Sequence, residues 1–505
     1  MAKLCLCLTA KTLERNLEIL NKYRKYADMA ELRVDCLDPN ERFQIRRFPE
    51  QTDMPVILTI RRDVDGGFFN GGEGSRINLM AQGLAYADAD RRRNFAYLDI
   101  EEDLNVPSLE EAARAFGTRI IRSCHNLKNS CGDLLGKMRT MRHSEDEIIK
   151  LAVMANTTRD VLDLFRAGKE CQGQEKILIA MGNIGVYSRI LAEQFGSFLS
   201  YSSAYSEPDI PHVAQGQLDI QELAKLYRFR RITANTKVYG VTGFSPNVTR
   251  NLHFFNMIFG LEDIDAVYAP FPMDSIETFM EMAQELGVKG LSVTVPYKEA
   301  VIPFLEGQSP EAQNIKACNT LSCSPYGWMG ANTEARGFSD SLLAFLDRSN
   351  LKRMMVTVIG AGGAARAVAA ELHRLGAKAL ILNRTVHKAR NIASAYKFAW
   401  GGLDNRGIDM MDKYSDIIIQ TTTAGMEGND SGDPVAMYSF CGRESVMDLI
   451  YRPEKTDFLK RAADAGCRVQ NGYDMFIRQA QYQYALFTGK EFPEYLMARL
   501  QMDSE

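Results

Sequence analysis

The sequence predicts an α/β protein in two parts: an N-terminal (β/α)8 TIM barrel, then a two-domain α/β unit containing a Rossmann-type nucleotide domain. Three observations carry this. Eight strand-like runs alternate with helical patterns over roughly the first 220 residues. A second series of strands and helices opens at Val238. Within it, residues 355–385 read strand, tight glycine turn, helix, strand.

The strand-like runs of the first part are 4–8, 29–34, 55–60, 95–100, 119–123, 148–154, 176–180 and 198–201, rich in β-branched and aliphatic residues. Helical patterns at 16–26, 83–92, 109–116 and 158–167 lie between them, and 221–231 reads as the last helix. An open doubly wound sheet is the alternative to a closed barrel. Charged residues sit where buried strands are ordinarily apolar. Glu31 and Arg33 are two apart, so they share a strand face, as do Asp99 and Glu101. Arg61, His125 and Lys150 fall at or near other strands. Structural salt bridges are one reading of this pattern, and an enclosed polar site built from several strands is the other. Lys150 lies in an apolar strand, where desolvation and cationic neighbours favour the neutral amine, which can add to a ketone and form an imine. His125 ends its strand and can move a proton near neutral pH.

Residues 232–236 serve as a short linker into the second part. There the Val293-Thr294-Val295-Pro296-Tyr297-Lys298 segment is a strand stopped by proline, with lysine just beyond it. Asn319-Thr320 and Asn332-Thr333-Glu334 follow in strand-like surroundings. The glycine turn is Gly360-Ala361-Gly362-Gly363-Ala364, placed to bring backbone and helix N-terminus close to a pyrophosphate. The next strand ends in Asn383-Arg384-Thr385. An NAD ribose prefers an acidic residue there, whereas arginine suits a 2′-phosphate, so NADPH is the expected cofactor.

The charge balance excludes some partners. The formal net charge is −4, which implies neither nucleic acid nor an anionic membrane. No apolar run approaches the roughly 18 residues of a membrane span. The start of the chain lacks a secretory pattern. Ten cysteines without a CxxC pair read as reduced thiols in a cytoplasmic protein, and six isolated histidines make no metal site expected. Oligomeric state stays open.

The first part resembles type I 3-dehydroquinate dehydratase. The resemblance lies in Glu31-Leu32-Arg33, Thr59-Ile60-Arg61, Asp99-Ile100-Glu101, Ser123-Cys124-His125, Lys150-Leu151-Ala152-Val153-Met154, Ser188-Arg189 and Gly216-Gln217. It implies that Lys150 forms a Schiff base with the C3 carbonyl of 3-dehydroquinate, and that His125 shuttles the proton. It gives Glu101 the task of orienting His125, and Arg189 that of clamping the substrate carboxylate. Glu31, Arg33, Arg61, Asp99 and Gln217 would bind hydroxyls or fix the charged network. Where the family has a Ser-Ala-Pro-Gly-Gln lid, this chain has Val213-Ala214-Gln215-Gly216-Gln217.

The second part resembles shikimate dehydrogenase over about residues 237–505, through the Lys298, Asn319 and Asn332 segments, the glycine turn, Thr421-Thr422-Thr423-Ala424-Gly425-Met426, Asp448-Leu449-Ile450-Tyr451, and Gly472 through Gln479. This implies domains at 1–230, 237–340 and 341–472, with 473–505 returning to the substrate domain. Lys298 and Glu334 become the acid–base pair. Thr249, Asn251, Asn319, Asn332, Tyr451 and Gln479 become substrate contacts. Gly360 to Ala364, Asn383, Arg384, Thr385, Thr422, Met426 and Gly472 become cofactor contacts. Glu334 stands where the family has aspartate, and Thr249-Arg250-Asn251 replaces its Ser-x-Ser pair. The expected function is dehydration of 3-dehydroquinate followed by NADPH-dependent reduction of 3-dehydroshikimate to shikimate. A quinate-preferring or differently cofactored dehydrogenase, or a weakly active metabolite-binding module, is the alternative for the second part.

Overall fold

The computed structural model describes residues 1–243, 248–429, 432–493 and 495–496, without the side chains of 248 and 249. Its contacts divide the chain into two compact units, Met1–Lys289 and Gly290–Glu505.

The first unit is dominated by eight parallel strands: β1 (Lys3–Leu8), β2 (Met29–Arg33), β3 (Val56–Thr59), β4 (Tyr97–Glu101), β5 (Arg119–Asn126), β6 (Ile148–Met154), β7 (Lys176–Met181) and β8 (Leu199–Ser203). They lie side by side in the order 7-6-5-4-3-2-1-8, and the short β9 (Leu218–Asp219) adds to β8. At the remaining seam the Phe198 N–H donates to the Lys176 carbonyl at 2.6 Å, so the curled sheet meets itself as a TIM-type barrel without a full ladder there. Helices α1 (Leu13–Tyr23), α2 (Glu73–Leu84), α3 (Pro107–Ala115), α4 (Leu134–Thr140), α5 (Thr158–Glu170) and the single turn α6 (Tyr187–Ile190) connect the strands. Thr157 caps α5 reciprocally with Asp160, which starts that helix sharply after the Lys150 strand. Inward-facing side chains such as Ile57, Ile121, Ile148, Ile177 and Leu199 fill the barrel as one buried cluster.

The structure differs from the sequence reading at two helices. The pattern at 83–92 does not form one helix: α2 ends at Leu84, and only a 3-10 turn follows at Arg91–Arg93. Beyond it Asn94 accepts from the Asp88 N–H and donates to the Asp88 carbonyl, while Arg46 takes the carbonyls of Ala85 and Tyr86. These side chains satisfy the backbone groups that a helix would need. Segment 221–231 is broken into a π turn (Glu222–Leu226) and a 3-10 turn (Phe229–Arg231) around Arg228, whose φ is +51°. The Arg228 guanidinium donates to the carbonyls of Phe259, Ile264 and Ala266, and this ties the linker to the elements that follow.

Those elements are β10 (Lys237–Thr242), α7 (Val248–Leu261), β11 (Ala266–Pro270) and α8 (Ile276–Glu285), with β10 and β11 paired in parallel.

The second unit opens with β12 (Gly290–Val293), α9 (Tyr297–Ala300), β13 (Gly307–Gln308), α10 (Pro310–Ile315), β14 (Thr320–Ser324) and β15 (Gly327–Ala331). There β14 pairs antiparallel with both β12 and β15. Helix α11 (Thr333–Leu346) leads into six parallel strands: β16 (Met355–Ile359), β17 (Lys378–Leu382), β18 (Ala399–Gly401), β19 (Ile417–Gln420), β20 (Ser445–Asp448) and β21 (Arg468–Gln470). Helices α12 (Gly363–Arg374), α13 (Val386–Tyr396), α14 (Asn405–Met411) and α15 (Asp457–Asp464) connect them. The strand order is β18-β17-β16-β19-β20-β21, the 3-2-1-4-5-6 arrangement of a doubly wound nucleotide-binding sheet. Its crevice lies where the order reverses, between β16 and β19. Helix α16 (Tyr473–Thr488) closes the described fold and runs against α11. A Cβ on Gly337 would stand only 2.9 Å from the Gln479 nitrogen, so the close approach of these two helices requires glycine.

Glu334 was expected in a strand–loop, and it lies instead in the first turn of α11. Asn332 caps that helix through the Ala335 N–H at 3.1 Å, and an acidic residue in the first turn suits the helix N-terminus. Among the described residues no helix is long and apolar enough to cross a membrane.

Candidate active site

The strands of the barrel bring together residues that are far apart in sequence. Glu31 and Arg33 come from β2, Asp99 and Glu101 from β4, Ser123 and His125 from β5, and Lys150 from β6. With Arg61, Arg189 and Gln217 they are all buried or nearly so. A cavity of about 260 Å³ is lined by Glu31, Arg33, Arg61, His125, Lys150, Arg189 and Gln217, together with Cys7, Tyr201 and lid residues 213–215.

The Lys150 ammonium donates to Asp99 Oδ2 at 2.8 Å, stands 3.9 Å from Glu31, and lies 4.4 Å above the centre of the Tyr201 ring. Its nearest charged partner is therefore a carboxylate, where the sequence reading expected cationic neighbours. Asp99 also accepts from Ser123 Oγ at 2.5 Å and pairs with Arg61 at 2.8 Å. Burial alone would raise the Asp99 pKa, but Arg61 and Lys150 outweigh it and hold this carboxyl well below the usual range.

Glu101 does not orient His125, because both of its oxygens are taken. Arg61 holds one at 2.5 Å and Arg76 the other at 2.5 Å. His125 is left with a buried Nδ1 that has no hydrogen-bond partner. Burial, then the charges of Arg61 and Lys150, push its imidazole well below the ordinary histidine range. The His125 ring lines the cavity, and its surroundings favour the neutral form.

Arg189 is the other unsatisfied group. Its Nη2 donates to the Gln215 carbonyl at 3.2 Å, its buried Nε has no partner, and among the described residues no carboxylate pairs with it. Burial lowers its pKa to about 10, so it remains a cation at neutral pH. A buried guanidinium facing a cavity without its own anion suits an anionic ligand.

Arg33 forms a two-pronged pair with Asp35, through Nε at 2.9 Å and Nη2 at 2.7 Å. Asp35 also accepts from the backbone N–H groups of Arg61 and Phe68, which pins the loop after β3. Glu31 accepts from Thr59 at 2.9 Å and from Cys7 at 3.2 Å, and Gln217 donates to Cys7 and accepts from Tyr205. Asp35, Arg76, Cys7 and Tyr205 were missed from sequence. Asp35 continues the two-residue alternation of Glu31 and Arg33 and was findable. Arg76 is a lone arginine on a helix, and nothing local marks it as buried.

In the second unit Lys298 and Glu334 are directly paired, at 2.5 and 2.7 Å from Nζ to the two carboxylate oxygens, and both are partly buried. Asn319 and Asn332 serve structure as well as any ligand. Asn319 accepts from the Thr333 N–H and donates to Thr333 Oγ1, while Asn332 donates to the Ala317 carbonyl. Gln483, one helical turn beyond Gln479, ties this cluster to α16 through Thr320 at 2.9 Å and Ser292 at 3.1 Å. It was also missed. Gln479 is half-buried, and Tyr451 packs on Phe476 with ring centres 5.5 Å apart. The Thr249 side chain lies outside the described residues. Asn251, on α7 of the first unit, is buried, and its Oδ1 has no partner among the described residues.

The nucleotide crevice fits a dinucleotide. Gly360, at φ +116°, turns the chain where a Cβ would meet Thr421 Oγ1 at 2.4 Å and Thr422 at 2.9 Å. Cβ atoms at Gly362 and Gly363 would meet nothing within 4 Å, and no side chain caps α12, so the first-turn N–H groups face open space beside Ala361 and Ala364. Asn383 donates to the Thr385 carbonyl and shapes the turn that presents exposed Arg384, which has no acidic partner among the described residues. Thr422 accepts from the Ala424 N–H, Met426 sits in the same loop, and Gly472 precedes α16. Elsewhere Glu110, His143 and Glu147 lie close enough to share an ion, but Arg122 already occupies both carboxylates.

A buried amine on a barrel strand and a doubly wound nucleotide sheet, carried on one chain, define a two-activity α/β enzyme with a lyase barrel and a dinucleotide-dependent oxidoreductase. Comparison with known proteins makes this specific. The family model for type I 3-dehydroquinase matches residues 4–234, that for the shikimate dehydrogenase substrate binding domain 245–321, and that for shikimate/quinate 5-dehydrogenase 343–427. The chloroplastic bifunctional 3-dehydroquinate dehydratase/shikimate dehydrogenase of Arabidopsis thaliana is 30% identical over 491 residues, 93% of this chain and 79% of that protein. The NADP(+) shikimate dehydrogenase of Maridesulfovibrio salexigens is 33% identical over 51% of this chain and 93% of its own. A solved structure of dehydroquinate dehydratase and shikimate dehydrogenase from S. pombe is 25% identical, covers 97% of this chain and 96% of that one, and has a TM-score of 0.44. The chain belongs to the family of bifunctional 3-dehydroquinate dehydratase/shikimate dehydrogenases.

The state of His125 sets a pH expectation. Cationic neighbours and burial disfavour imidazolium, so the base stays neutral as pH falls through the ordinary histidine value of about 6.5. The acid limb of dehydratase kcat/KM is expected below that pH. A limb at or above it that disappears in His125→Gln would contradict the assignment.

Proposed function

We propose that the barrel dehydrates 3-dehydroquinate through an imine on Lys150, and that the second part reduces 3-dehydroshikimate to shikimate with NADPH. The observation that carries the dehydratase reading is a buried amine sharing a cavity with a histidine and with an arginine that has no carboxylate partner among the described residues. The Lys150 ammonium gives up a proton to solvent, the free amine adds to the C3 carbonyl, and the carbonyl oxygen leaves as water, giving an imine. Protonated, it draws electrons from the C2–H bond, and His125 accepts that proton. The C1 hydroxyl then departs with a proton returned by His125, and hydrolysis frees the amine. Arg189 holds the substrate carboxylate. Asp99 and Glu31 flank the amine, Gln217 and Arg33 meet the ring hydroxyls, and Glu101 acts by fixing Arg61 rather than by touching His125.

For the second reaction, NADPH supplies a hydride when bound. The open N-terminus of α12 would hold its pyrophosphate and Arg384 its 2′-phosphate, with Ala361, Asn383, Thr385, Thr422, Met426 and Gly472 shaping the crevice. Lys298 donates to the oxygen that gains charge as the ketone is reduced, and Glu334 orients the ammonium and meets a ring hydroxyl. Thr249, Asn251, Asn319, Asn332, Tyr451 and Gln479 are proposed as substrate contacts. The proposed domains are 1–230, 237–340 and 341–472, with a return at 473–505. The substrates are small molecules, no nucleic acid, membrane or metal takes part, and the proposed compartment is the cytoplasm. The longer Glu334 and the Thr249-Arg250-Asn251 segment favour a second reading, in which this half also takes quinate.

Borohydride added with substrate is expected to trap a reduced adduct on Lys150, visible by peptide mass. Lys150→Ala is expected to abolish dehydration while leaving shikimate oxidation intact. An adduct on another lysine overturns the assignment.

Arg384→Ala is expected to weaken NADPH far more than NADH, because it removes a charge-assisted contact available only to the 2′-phosphate. Equal losses in titrations with the two cofactors would remove Arg384 from that role.

Lys298→Ala is expected to lose most shikimate oxidation while still binding NADPH. Glu334→Gln should fall strongly, whereas Glu334→Asp retains activity, changed by up to about a hundredfold because an ångström of misplacement can cost that much. Near-parental steady-state rates in both Lys298→Ala and Glu334→Gln would reject the pair.

A further inference from the structure

Helix α6, which carries Arg189, is gripped from two sides. Toward the barrel, the Ala180 N–H donates to Ser188 Oγ at 3.1 Å, and that hydroxyl donates to the Gly185 carbonyl at 2.7 Å. On its other side the Tyr187 ring lies 5.0 Å from the ring of Phe271, centre to centre. Tyr187 is fully buried, its hydroxyl has no hydrogen-bond partner among the described residues, and its ring also lies 6.4 Å from that of Phe195, so ring contacts seat it. Phe271 does not belong to the barrel. It follows β11, within the stretch matched by the shikimate dehydrogenase substrate domain. Its own position is firm. Its N–H donates to Val241 at 2.8 Å, its carbonyl accepts from Thr242 Oγ1 at 2.8 Å, and its ring packs on Phe279 at 5.6 Å.

The same face is riveted nearby within the first unit. Asp274 accepts from the N–H of Thr158 at 2.7 Å and from its hydroxyl at 2.6 Å, and Arg166 of α5 reaches Glu285 of α8 at 2.5 Å. The Phe271 ring therefore sits on a fixed platform beneath α6. Among the described residues Arg189 has no carboxylate to hold it, and its side chain donates to a lid carbonyl. The position of its guanidinium is set by where α6 lies.

We infer that Phe271, a residue of the dehydrogenase segment, is a positioning residue for the dehydratase: it seats Tyr187 and thereby aims Arg189 at the substrate carboxylate. This rests on the reading of Arg189 as the carboxylate clamp. It gives the fusion a physical consequence, since one activity's segment backs the helix that carries a residue of the other's cavity.

The test is steady-state dehydration by the full chain. Phe271→Ala opens space under Tyr187 and is expected to raise KM for 3-dehydroquinate about tenfold, within the range that small displacements of a binding group produce, with kcat changed less than about twofold. Phe271→Leu, which keeps most of the apolar volume, is expected to recover most of that loss. If the alanine variant does not fold, Phe271→Val, a smaller truncation of the same contact, is expected to raise KM in its place. In an Arg189→Ala background, where KM is already raised, adding Phe271→Ala is expected to change KM less than about twofold, as for two residues acting through one contact. If the two effects instead multiply, or if Phe271→Ala leaves KM unchanged while Arg189→Ala raises it, the inference is overturned and the clamp stands. An unchanged KM in Arg189→Ala overturns both.

Discussion

The ionic chain running Lys150, Asp99, Arg61, Glu101, Arg76 across the barrel is the interaction on which the dehydratase depends. Each ion in it is buried, and an ion removed from water costs several kcal/mol unless it is paired and hydrogen-bonded. The barrel meets that cost with short contacts between β3, β4 and β6, with the buried end anchored by Arg76 from α2. Arg76 is also held by Glu73 at 2.5 Å, which ends the chain on the outside of the barrel. Of the cavity arginines, Arg33 and Arg61 have carboxylate partners, and Arg189 has none among the described residues.

The same chain leaves His125 without a carboxylate hydrogen-bonded to its ring. Asp99 is committed to Arg61, Ser123 and Lys150, and Glu101 to two arginines, so neither hydrogen-bonds the imidazole. Burial, then the charges of Arg61 and Lys150, disfavour imidazolium, and Asp99 opposes them only in part. The dehydrogenase site uses a simpler device. Lys298 and Glu334 form a single ion pair, and Asn332 fixes the glutamate by starting its helix.

Much of this was legible because it is local. Strand runs, the glycine turn and the two-residue spacing of Glu31 with Arg33 are properties of neighbouring residues. So is the step from strand to proline to Lys298. The failures have a common origin. The helix expected at 83–92 lost its backbone partners to Asn94 and Arg46, which lie outside the pattern. Glu334 was read as part of a strand because the run before it is one, and the cap that begins α11 intervenes.

What the sequence by itself determined was the inventory and its order: which residues bear amines, carboxylates and guanidinium groups, and which strand or turn carries each. Periodicity and short motifs encode that directly. Only the tertiary structure decided the pairings. Whether Glu101 serves His125 or two arginines depends on the register of β4 beside β3 and β5, and on the arrival of Arg76 from a helix packed outside the barrel. Whether Phe271 touches Tyr187 depends on how α5 and α8 dock. Such contacts join residues tens of positions apart, and no spacing along the chain specifies which of several possible partners closes the distance.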